Sequence, residues 1–158
     1  MASTSLDGIW ARASKAITAA AILVDPQGQV LLVKHSYGPL NWEVPGGAAE
    51  PDETPTETAV REVVEETGLR VSAERLTGVY YEHQPAGREV LHFVFQCRLA
   101  DETAIPQPSS GEITACRYWA PEVLPRPISD FTVRRIRDAL AQASPVLPVT
   151  IPAREWLR

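Results

Sequence analysis

Basic residues are scarce in this chain relative to acidic ones. Its 158 residues include 15 Lys and Arg against 20 Asp and Glu, which gives a net charge of −5 and a pI near 5.2. A protein that binds nucleic acid regardless of sequence draws its affinity largely from basic contacts to phosphates, so the composition argues against that class. Small molecules that carry phosphate stay possible if metal ions balance their charge.

Long apolar runs and cysteines are scarce as well. No stretch approaches the roughly 18 apolar residues of a membrane helix, and residues 1–15 lack the basic head and hydrophobic core of a signal peptide. We therefore expect a cytoplasmic location and no membrane partner. Cys97 and Cys116 are expected to be reduced thiols, because two cysteines in a chain without a leader seldom form a bridge.

The length and the content of 44% hydrophobic residues suit one domain with a buried core. We expect a single domain over residues 1–158, with an N-terminal arm at 1–15 and a proline-rich C-terminal tail at 144–158. Prolines prevent the tail from forming a regular helix. It is expected to lie along the domain or across a partner subunit, so a homodimer stays open.

A glycine turn and a helix follow one another between Pro45 and Leu69. Gly46 and Gly47 allow positive φ and let backbone carbonyls approach a bound ion. The helix signals are Thr54 as N-cap, Pro55 at the first position, Glu57 completing a Thr-x-x-Glu capping box, and Gly68 as the residue that ends the helix.

This helix is predicted to have one apolar and one acidic side. At ~100° per residue, the apolar side holds Ala59, Val60, Val63 and Thr67, and the acidic side holds Glu62, Glu65 and Glu66. Glutamates one turn apart repel, and Arg61 relieves only part of this through Glu57 and Glu65. Mg²⁺ prefers oxygen ligands, so the acidic side beside a glycine turn indicates a metal site. The alternative is a solvated glutamate face.

The spacing favours the metal site. The pattern Gly, five residues, Glu, seven residues, Arg-Glu-aliphatic-x-Glu-Glu-x-Gly-aliphatic is the Nudix box. All nine of its constrained positions are present: Gly47, Glu53, Arg61, Glu62, Val63, Glu65, Glu66, Gly68 and Leu69. The chain therefore resembles a Nudix hydrolase. The resemblance implies an α/β fold, an α/β/α sandwich around a mixed β-sheet, and Mg²⁺- or Mn²⁺-dependent hydrolysis of a nucleoside diphosphate linked to another moiety.

The same resemblance implies roles for individual residues. The expected metal ligands are Glu62, Glu65, Glu66 and the Gly46 carbonyl. Arg61 is expected to orient these carboxylates, and Glu53 to anchor them from the turn. The general base stays open between a box glutamate, Glu62 or Glu66, and Glu112 of a late loop.

Glu112 follows the segment 101–111, which is too rich in Pro and Ser for regular structure and is predicted to be a loop. Pro106, Pro108 and Gly111 suggest a loop that can swing and carry Glu112 to the site, as a catalytic group or a metal ligand. The alternative is a solvated acid. A short strand is expected to begin at Arg117.

Two strands are predicted before the box, at residues 16–25 and 30–34. Lys34, at the end of the second strand, is a candidate contact for a substrate phosphate, and Trp42 is a candidate platform for a base. The alternatives are a solvated lysine and a tryptophan packed beneath the turn.

Two further strands, at 76–83 and 89–99, are predicted to form a hairpin. The alternation of Leu91, Phe93 and Phe95 with their neighbours indicates that one face belongs to the core, and His92 is expected to be a surface or hydrogen-bonded histidine. Pro85 lies 16 residues after Leu69, as a proline does in Nudix enzymes that cleave ADP-ribose, although a turn proline is the simpler interpretation.

The C-terminal part predicts a short helical turn at 121–124 and a helix at 130–142. Its core side is expected to hold Phe131, Val133, Ile136 and Leu140, and its solvated side Arg134, Arg135 and Arg137.

An enzyme is the expected function, with a nucleotide-type small molecule as its partner, because the box keeps every carboxylate. The alternative is a module that binds a nucleotide or ADP-ribose as a sensor without turning it over. If the chain is an enzyme, three substrate classes stay open: ADP-ribose and nucleotide sugars, nucleoside triphosphates, and dinucleoside polyphosphates.

Overall fold

The computed structural model describes residues 15–141, 149–151 and 153–158. The expected N-terminal arm lies outside these ranges except for Lys15, and so does most of the proline-rich part of the tail. In the described ranges the elements are β1 (Ala16–Leu23), β2 (Val30–His35), β3 (Trp42–Glu43), β4 (Gly46–Ala48), α1 (Pro55–Thr67), β5 (Val71–His83), β6 (Glu89–Leu99), β7 (Ile113–Trp119), β8 (Ile128–Ser129), α2 (Asp130–Leu140), β9 (Val149–Ile151) and β10 (Trp156–Leu157).

The strands form two mixed sheets of five strands each. The order is β4-β1-β6-β5-β9 in the first and β10-β8-β3-β2-β7 in the second. β1 runs parallel to β6, and β5 and β6 form the antiparallel hairpin predicted from the sequence. In the second sheet β3 runs parallel to β8 and antiparallel to β2.

The two helices cover separate hydrophobic clusters. One cluster joins Ala59 and Val63 of α1 to alternate residues of β1 such as Ala19 and Ala21, and the other joins α2 to the intervening residues of β1. Because side chains alternate across a strand, the helices lie on opposite faces of the first sheet. The predicted α/β/α arrangement with mixed sheets is confirmed.

Helix α1 begins and ends as its sequence predicts. The Thr54 hydroxyl accepts a hydrogen bond from the Glu57 N–H, and the Glu57 carboxylate accepts one from the Thr54 N–H. Gly68 lies in the left-handed region at φ 71° and donates its N–H to the Val64 carbonyl. Orphan backbone groups at both ends of the helix are thereby satisfied.

Several predicted boundaries are wrong. β5 begins at Val71 rather than at 76, because residues 71–75 pair with the end of β6. β7 begins at Ile113 rather than at Arg117, because the residues before Arg117 already pair with β2. Residues 121–124 form a turn and no helix, and α2 ends at Leu140.

The predicted faces of α2 and β6 also need correction. Arg135, expected on a solvated side, is only 5% exposed, whereas Leu140 is 36% exposed. On β6 both faces are covered, since Phe95 packs beneath α1 while Val94 packs beneath α2. A central strand between two helical layers has no face in solvent. The alternating pattern therefore wrongly predicted that only one face of β6 is buried.

Two expectations concern the chain as a whole. Cys97 and Cys116 are free thiols, as expected. No helix in the described ranges is long and apolar enough to cross a membrane.

Candidate active site

The glycine turn is held close to both β1 and α1. β4 pairs with β1, with Gly46 opposite Ala20 and Gly47 opposite Ala19. A Cβ atom on Gly46 would lie 2.5 Å from the Ala19 carbonyl oxygen, and one on Gly47 would lie 2.3 Å from Glu62 Oε1. Gly46 therefore needs glycine, because a side chain there would meet the backbone of β1, whereas the contact at Gly47 shows that a carboxylate of α1 lies against the turn.

Arg61 connects the box carboxylates. Its Nε donates to Glu53 Oε1 at 2.7 Å, its Nη1 donates to Glu62 at 2.9 Å and to Glu65 at 3.1 Å, and its Nη2 donates to the Ala48 carbonyl at 3.0 Å. These hydrogen bonds lower the pKa of Glu53 to about 2 and raise that of Arg61. Glu57, a second partner expected for Arg61, is occupied by the helix cap instead.

Glu66 is the buried member of the acidic side. It is 6% exposed, and its Oε2 accepts a hydrogen bond from the Gly46 N–H at 3.1 Å. Burial raises its pKa to about 8; the Gly46 N–H opposes this, and the charges of Glu62, Glu43 and Glu112 add to it. The ionised form of Glu66 therefore lacks a matching positive charge.

Glu62 and Glu65 differ from Glu66 in their surroundings. Burial raises the pKa of Glu62, although the hydrogen bond from Arg61 opposes the shift. The Glu65 side chain is 53% exposed. The three box glutamates thus present one buried, one half-buried and one open carboxylate along the same side of α1.

The residues fit a divalent cation in their chemistry, although they are not yet arranged around one. Among the described residues, no three His, Cys, Asp or Glu side chains are already grouped as a ligand set. A hard cation would nevertheless suit this place, because it would favour the ionised form of Glu66 beside Glu62.

The late loop is fixed beside α1. The Gln107 and Ser109 N–H groups donate to the carbonyls of Thr67 and Glu66, at 3.0 and 3.2 Å. At its far end, Ser36 N–H donates to the Glu112 carbonyl at 2.8 Å. These bonds hold the loop at points where the sequence suggested free movement, and they keep the exposed Glu112 near enough for its charge to raise the pKa of Glu66.

Glu43 is a carboxylate of this site that the sequence reasoning missed. It accepts hydrogen bonds from the Val44 N–H at 2.8 Å, from the Thr132 hydroxyl at 2.9 Å and from Arg135. Its charge also raises the pKa of Glu66. A single acid between Trp42 and Val44, just before a glycine turn, was the available signal.

A second buried polar group lies behind the turn. Arg154 donates to both oxygens of Glu82, at 2.6 and 2.7 Å, and His92 Nε2 lies 3.0 Å from Glu82. Burial and the nearby guanidiniums of Arg135 and Arg154 lower the pKa of His92 to about 4. The imidazole is therefore neutral, with Nε2–H donating to Glu82 and Nδ1 accepting from the Thr18 hydroxyl at 2.7 Å.

A small cavity of about 140 Å³ separates this buried group from the turn. It is lined by Gly46 and Gly47 of the turn together with His92, Arg135 and Arg154. The sequence predicted only a surface or hydrogen-bonded strand histidine at His92, because its partners Thr18 and Glu82 are not adjacent to it in the chain.

The two candidate substrate contacts lie next to each other. Trp42 is 7% exposed and packs edge to face against Trp119, which supports the packing alternative over stacking on a base. Lys34 is half-buried, with Nζ 5.9 Å from the centre of the Trp42 ring. Tyr37 stacks on His35 and is half exposed; its partial burial raises its pKa, and the charges of Glu112 and Glu66 add to the shift.

Comparison with known proteins gives a consistent result. The NUDIX domain family matches residues 14–139. A MutT-like protein of Streptomyces ambofaciens is 33% identical over 129 residues, which cover 82% of this chain and 79% of that protein. Diphosphoinositol polyphosphate phosphohydrolase 3-alpha of Mus musculus is 44% identical over 68 residues, but the match covers only 43% of this chain and 42% of that relative.

Among solved structures, an ADP-ribose pyrophosphatase from Streptococcus suis superposes with a TM-score of 0.64 at 22% identity, over 87% of this chain and all of that one. At this identity the likeness shows the fold alone. The family match over most of the chain and the complete box carry the assignment: the chain belongs to the Nudix hydrolase family.

Proposed function

We propose that this chain is a divalent-cation-dependent pyrophosphohydrolase that cleaves a nucleoside diphosphate linked to another group. The observation that carries the proposal is Glu66, a buried carboxylate beside the glycine turn whose like-charged neighbours leave it without a matching positive charge. Ionising such a group is unfavourable in the protein alone, and a bound divalent cation would offset that cost.

The proposed ligands of the cation are Glu62, Glu65, Glu66, the Gly46 carbonyl and Glu112. When bound, Mg²⁺ or Mn²⁺ would neutralise the diphosphate, polarise a phosphoryl oxygen and lower the pKa of the attacking water. Arg61 holds Glu62 and Glu65 in place through one nitrogen, and Glu53 fixes the guanidinium through another. These contacts restrict the carboxylates before substrate arrives, which reduces the cost of ordering them.

The general base is one of three carboxylates. Glu62 and Glu66 face the turn from α1, and Glu112 faces them from the loop before β7. Glu112 is exposed and carries no guanidinium partner in the described ranges, so it has the freest side chain with which to accept a proton from water.

The substrate is proposed at the level of its class. The relatives named above act, by their names, on diphosphoinositol polyphosphates and on ADP-ribose, and all such substrates contain a diphosphate linkage. Pro85 lies in the turn of the β5–β6 hairpin, where the Gln84 N–H donates to the Arg88 carbonyl at 2.8 Å. This placement supports the turn interpretation of Pro85, so it does not favour ADP-ribose over the other classes.

A nucleotide sensor without turnover is the second candidate. It retains the fold but has no need for the full carboxylate set. The presence of Glu62, Glu65 and Glu66 together with a buried, costly Glu66 favours the enzyme.

A substrate panel tests the proposal. ADP-ribose, a nucleotide sugar, nucleoside triphosphates and a diadenosine polyphosphate are each incubated with Mg²⁺, and released phosphate, pyrophosphate and nucleoside monophosphate are separated and quantified. We expect Mg²⁺-dependent products from at least one class. Binding of a compound without any product would support the sensor instead.

A further inference from the structure

A cavity of about 500 Å³ lies where strand β10 meets the segment between β2 and β3. It is lined by Pro39, Arg126, Pro127, Trp156 and Arg158. Its volume is in the range of small-molecule binding sites in proteins, and it combines an aromatic side chain with two guanidiniums. None of these residues belongs to the Nudix box or to the carboxylate site.

The end of the chain is held firmly enough to form a wall of this cavity. Trp156 pairs with Ser129 and Leu157 with Ile128 in the second sheet, and the Asp130 N–H donates to the Glu155 carbonyl at 3.0 Å. Because side chains alternate along a strand, Leu157 packs against the core while Trp156 points outward and is 39% exposed. A tryptophan is thus displayed on an anchored strand.

Among the described residues, the two arginines of the cavity have no carboxylate partner. In residues 15–141, 149–151 and 153–158 the arginine ion pairs involve Arg61, Arg98, Arg134, Arg135 and Arg154. Arg126 and Arg158 form none of them, and both are exposed. Two guanidiniums beside one aromatic ring suit an anion, because guanidiniums bind phosphate through two parallel hydrogen bonds in one plane.

The cavity is close to the carboxylate site through one short loop. Pro39 lies two residues after Tyr37, so their Cα atoms are separated by at most about 7 Å. The side chain of Tyr37 is near enough to Glu112 and Glu66 for their charges to raise its pKa. The cavity and the carboxylate site therefore adjoin the same loop between β2 and β3.

We propose that this cavity binds the nucleoside phosphate part of the substrate, with the base on Trp156 and a phosphate on Arg126 and Arg158. Stacking of a base on an aromatic ring together with guanidinium contacts to phosphate is a general mode of nucleotide binding. The inference rests on the proposed function for the role of the cavity in turnover, but nucleotide binding itself can be tested without turnover.

The first experiment measures binding in excess EDTA. ADP, GDP, CDP and UDP are titrated separately by calorimetry into the full chain, into Trp156→Ala and into Arg158→Gln. We expect at least one nucleotide to bind the wild type. Each substitution should raise the Kd of that nucleotide by at least about tenfold. Val123→Ala and Arg98→Gln are the controls, since both side chains are exposed and neither lines the cavity. They should bind within twofold of wild type.

Two results would overturn the inference. One is that none of the four nucleotides binds the wild type; the other is that the bound nucleotide binds Trp156→Ala and Arg158→Gln as tightly as wild type. Thermal unfolding of each variant shows that it is folded; because both side chains are exposed, their Tm should stay near that of wild type.

Glu66→Gln separates this inference from the proposed function. It should lose hydrolysis yet bind the nucleotide in EDTA as wild type does, whereas Trp156→Ala should raise KM at least tenfold with kcat within about twofold. If no substrate is turned over, the binding titrations still show whether the cavity binds a nucleotide. If hydrolysis is normal and KM is unchanged in Trp156→Ala, the cavity does not bind the substrate, and the proposed function stands.

Discussion

Glu66 combines burial, a pKa near 8 and a position at the turn, so its substitution separates catalysis from folding. Glu66→Gln and Glu65→Gln should each lower kcat by at least ~100-fold, because the transition state loses part of its charge-matched environment. The Tm in chelator should stay the same or rise slightly, since Gln replaces a buried carboxyl that is costly to ionise at Glu66 and removes a repelling charge at Glu65. Steady-state kinetics and thermal unfolding on the same preparations provide the measurement.

Val63→Ala is the matched control on the same helix. Val63 is fully buried against the first sheet, so its truncation should cost on the order of 1 kcal/mol or more of stability. Activity per folded molecule should change much less. If Glu66→Gln lost as much stability as Val63→Ala, Glu66 would be a structural residue.

Glu112 tests the identity of the base. If it accepts the proton or joins the ligands late, Glu112→Gln should lower kcat strongly with little change in KM, because its contact forms mainly in the transition state. Loss of a base removes the acidic limb of the kcat profile, whereas loss of a ligand raises the Mg²⁺ requirement. Constants within about twofold of wild type, with both profiles unaltered, would return the base to Glu62 or Glu66.

His92 predicts how stability depends on pH. Its pKa is about 4 in the folded protein, below the ordinary 6.5, so unfolded chains bind the proton more readily. Stability should therefore fall as pH falls from 6.5 through 4, by at most about 3 kcal/mol. Glu82, whose pKa is lowered by Arg154 against the effect of burial, adds to the loss at the acidic end.

Urea unfolding between pH 7 and 4 measures this dependence. His92→Phe should flatten the loss between pH 6.5 and 4, because Phe cannot be protonated. The matched control is His83→Phe, since His83 is exposed on the neighbouring strand β5. Equal slopes for His92→Phe and wild type would show that the imidazole does not carry the dependence.

At the scale of elements, helix α2 is held by a buried ion pair. Arg135 is 5% exposed and donates to Glu43 of β3, and its guanidinium carbon lies 4.1 Å from the centre of the Phe131 ring. Arg135→Met should destabilise the protein by about 3 kcal/mol or more, since it leaves the Glu43 carboxylate without its cation. Urea unfolding gives the free energy.

Arg134→Met provides the comparison on the next residue of the same helix. Its guanidinium is half exposed and pairs with Asp138 one turn away, so its loss should change stability by less than about 0.5 kcal/mol. Adding Glu43→Gln to Arg135→Met should restore part of the loss, because the unpaired charge is removed. Similar small effects of Arg134→Met and Arg135→Met would contradict a buried pair.

The two helices show what local sequence can and cannot predict. The bounds of α1 follow from its own caps, and Thr54, Glu57 and Gly68 are all within the segment. The buried side of α2 depends on Glu43, which lies 92 positions before Arg135. An amphipathic pattern predicts that every arginine of a helix faces solvent. Arg135 is buried only because Glu43 of β3 lies opposite it.

At the scale of the molecule, the site depends on long-range pairing that a single sequence does not encode locally. β1 and β6 are parallel neighbours, with Ala16 opposite Val90, and their contact places Thr18 beside His92. The resemblance that the box carries implied the α/β/α fold, which is confirmed, and an orienting role for Arg61, which stays a prediction. The positions of Glu43, Glu82 and Arg154 depend on the pairing of the sheets, since their partners lie far away in the sequence. The homodimer stays a prediction.

The central claim is that the acidic side of α1 becomes a working site when a divalent cation balances its charge. The most direct measurement is the hydrolysis rate of chelator-treated protein with a substrate from the panel, before and after addition of Mg²⁺ or Mn²⁺, with circular dichroism recorded on the same sample. We predict no turnover in excess EDTA, recovery with either ion, and an unchanged folded spectrum throughout. Full turnover in excess chelator would contradict the account.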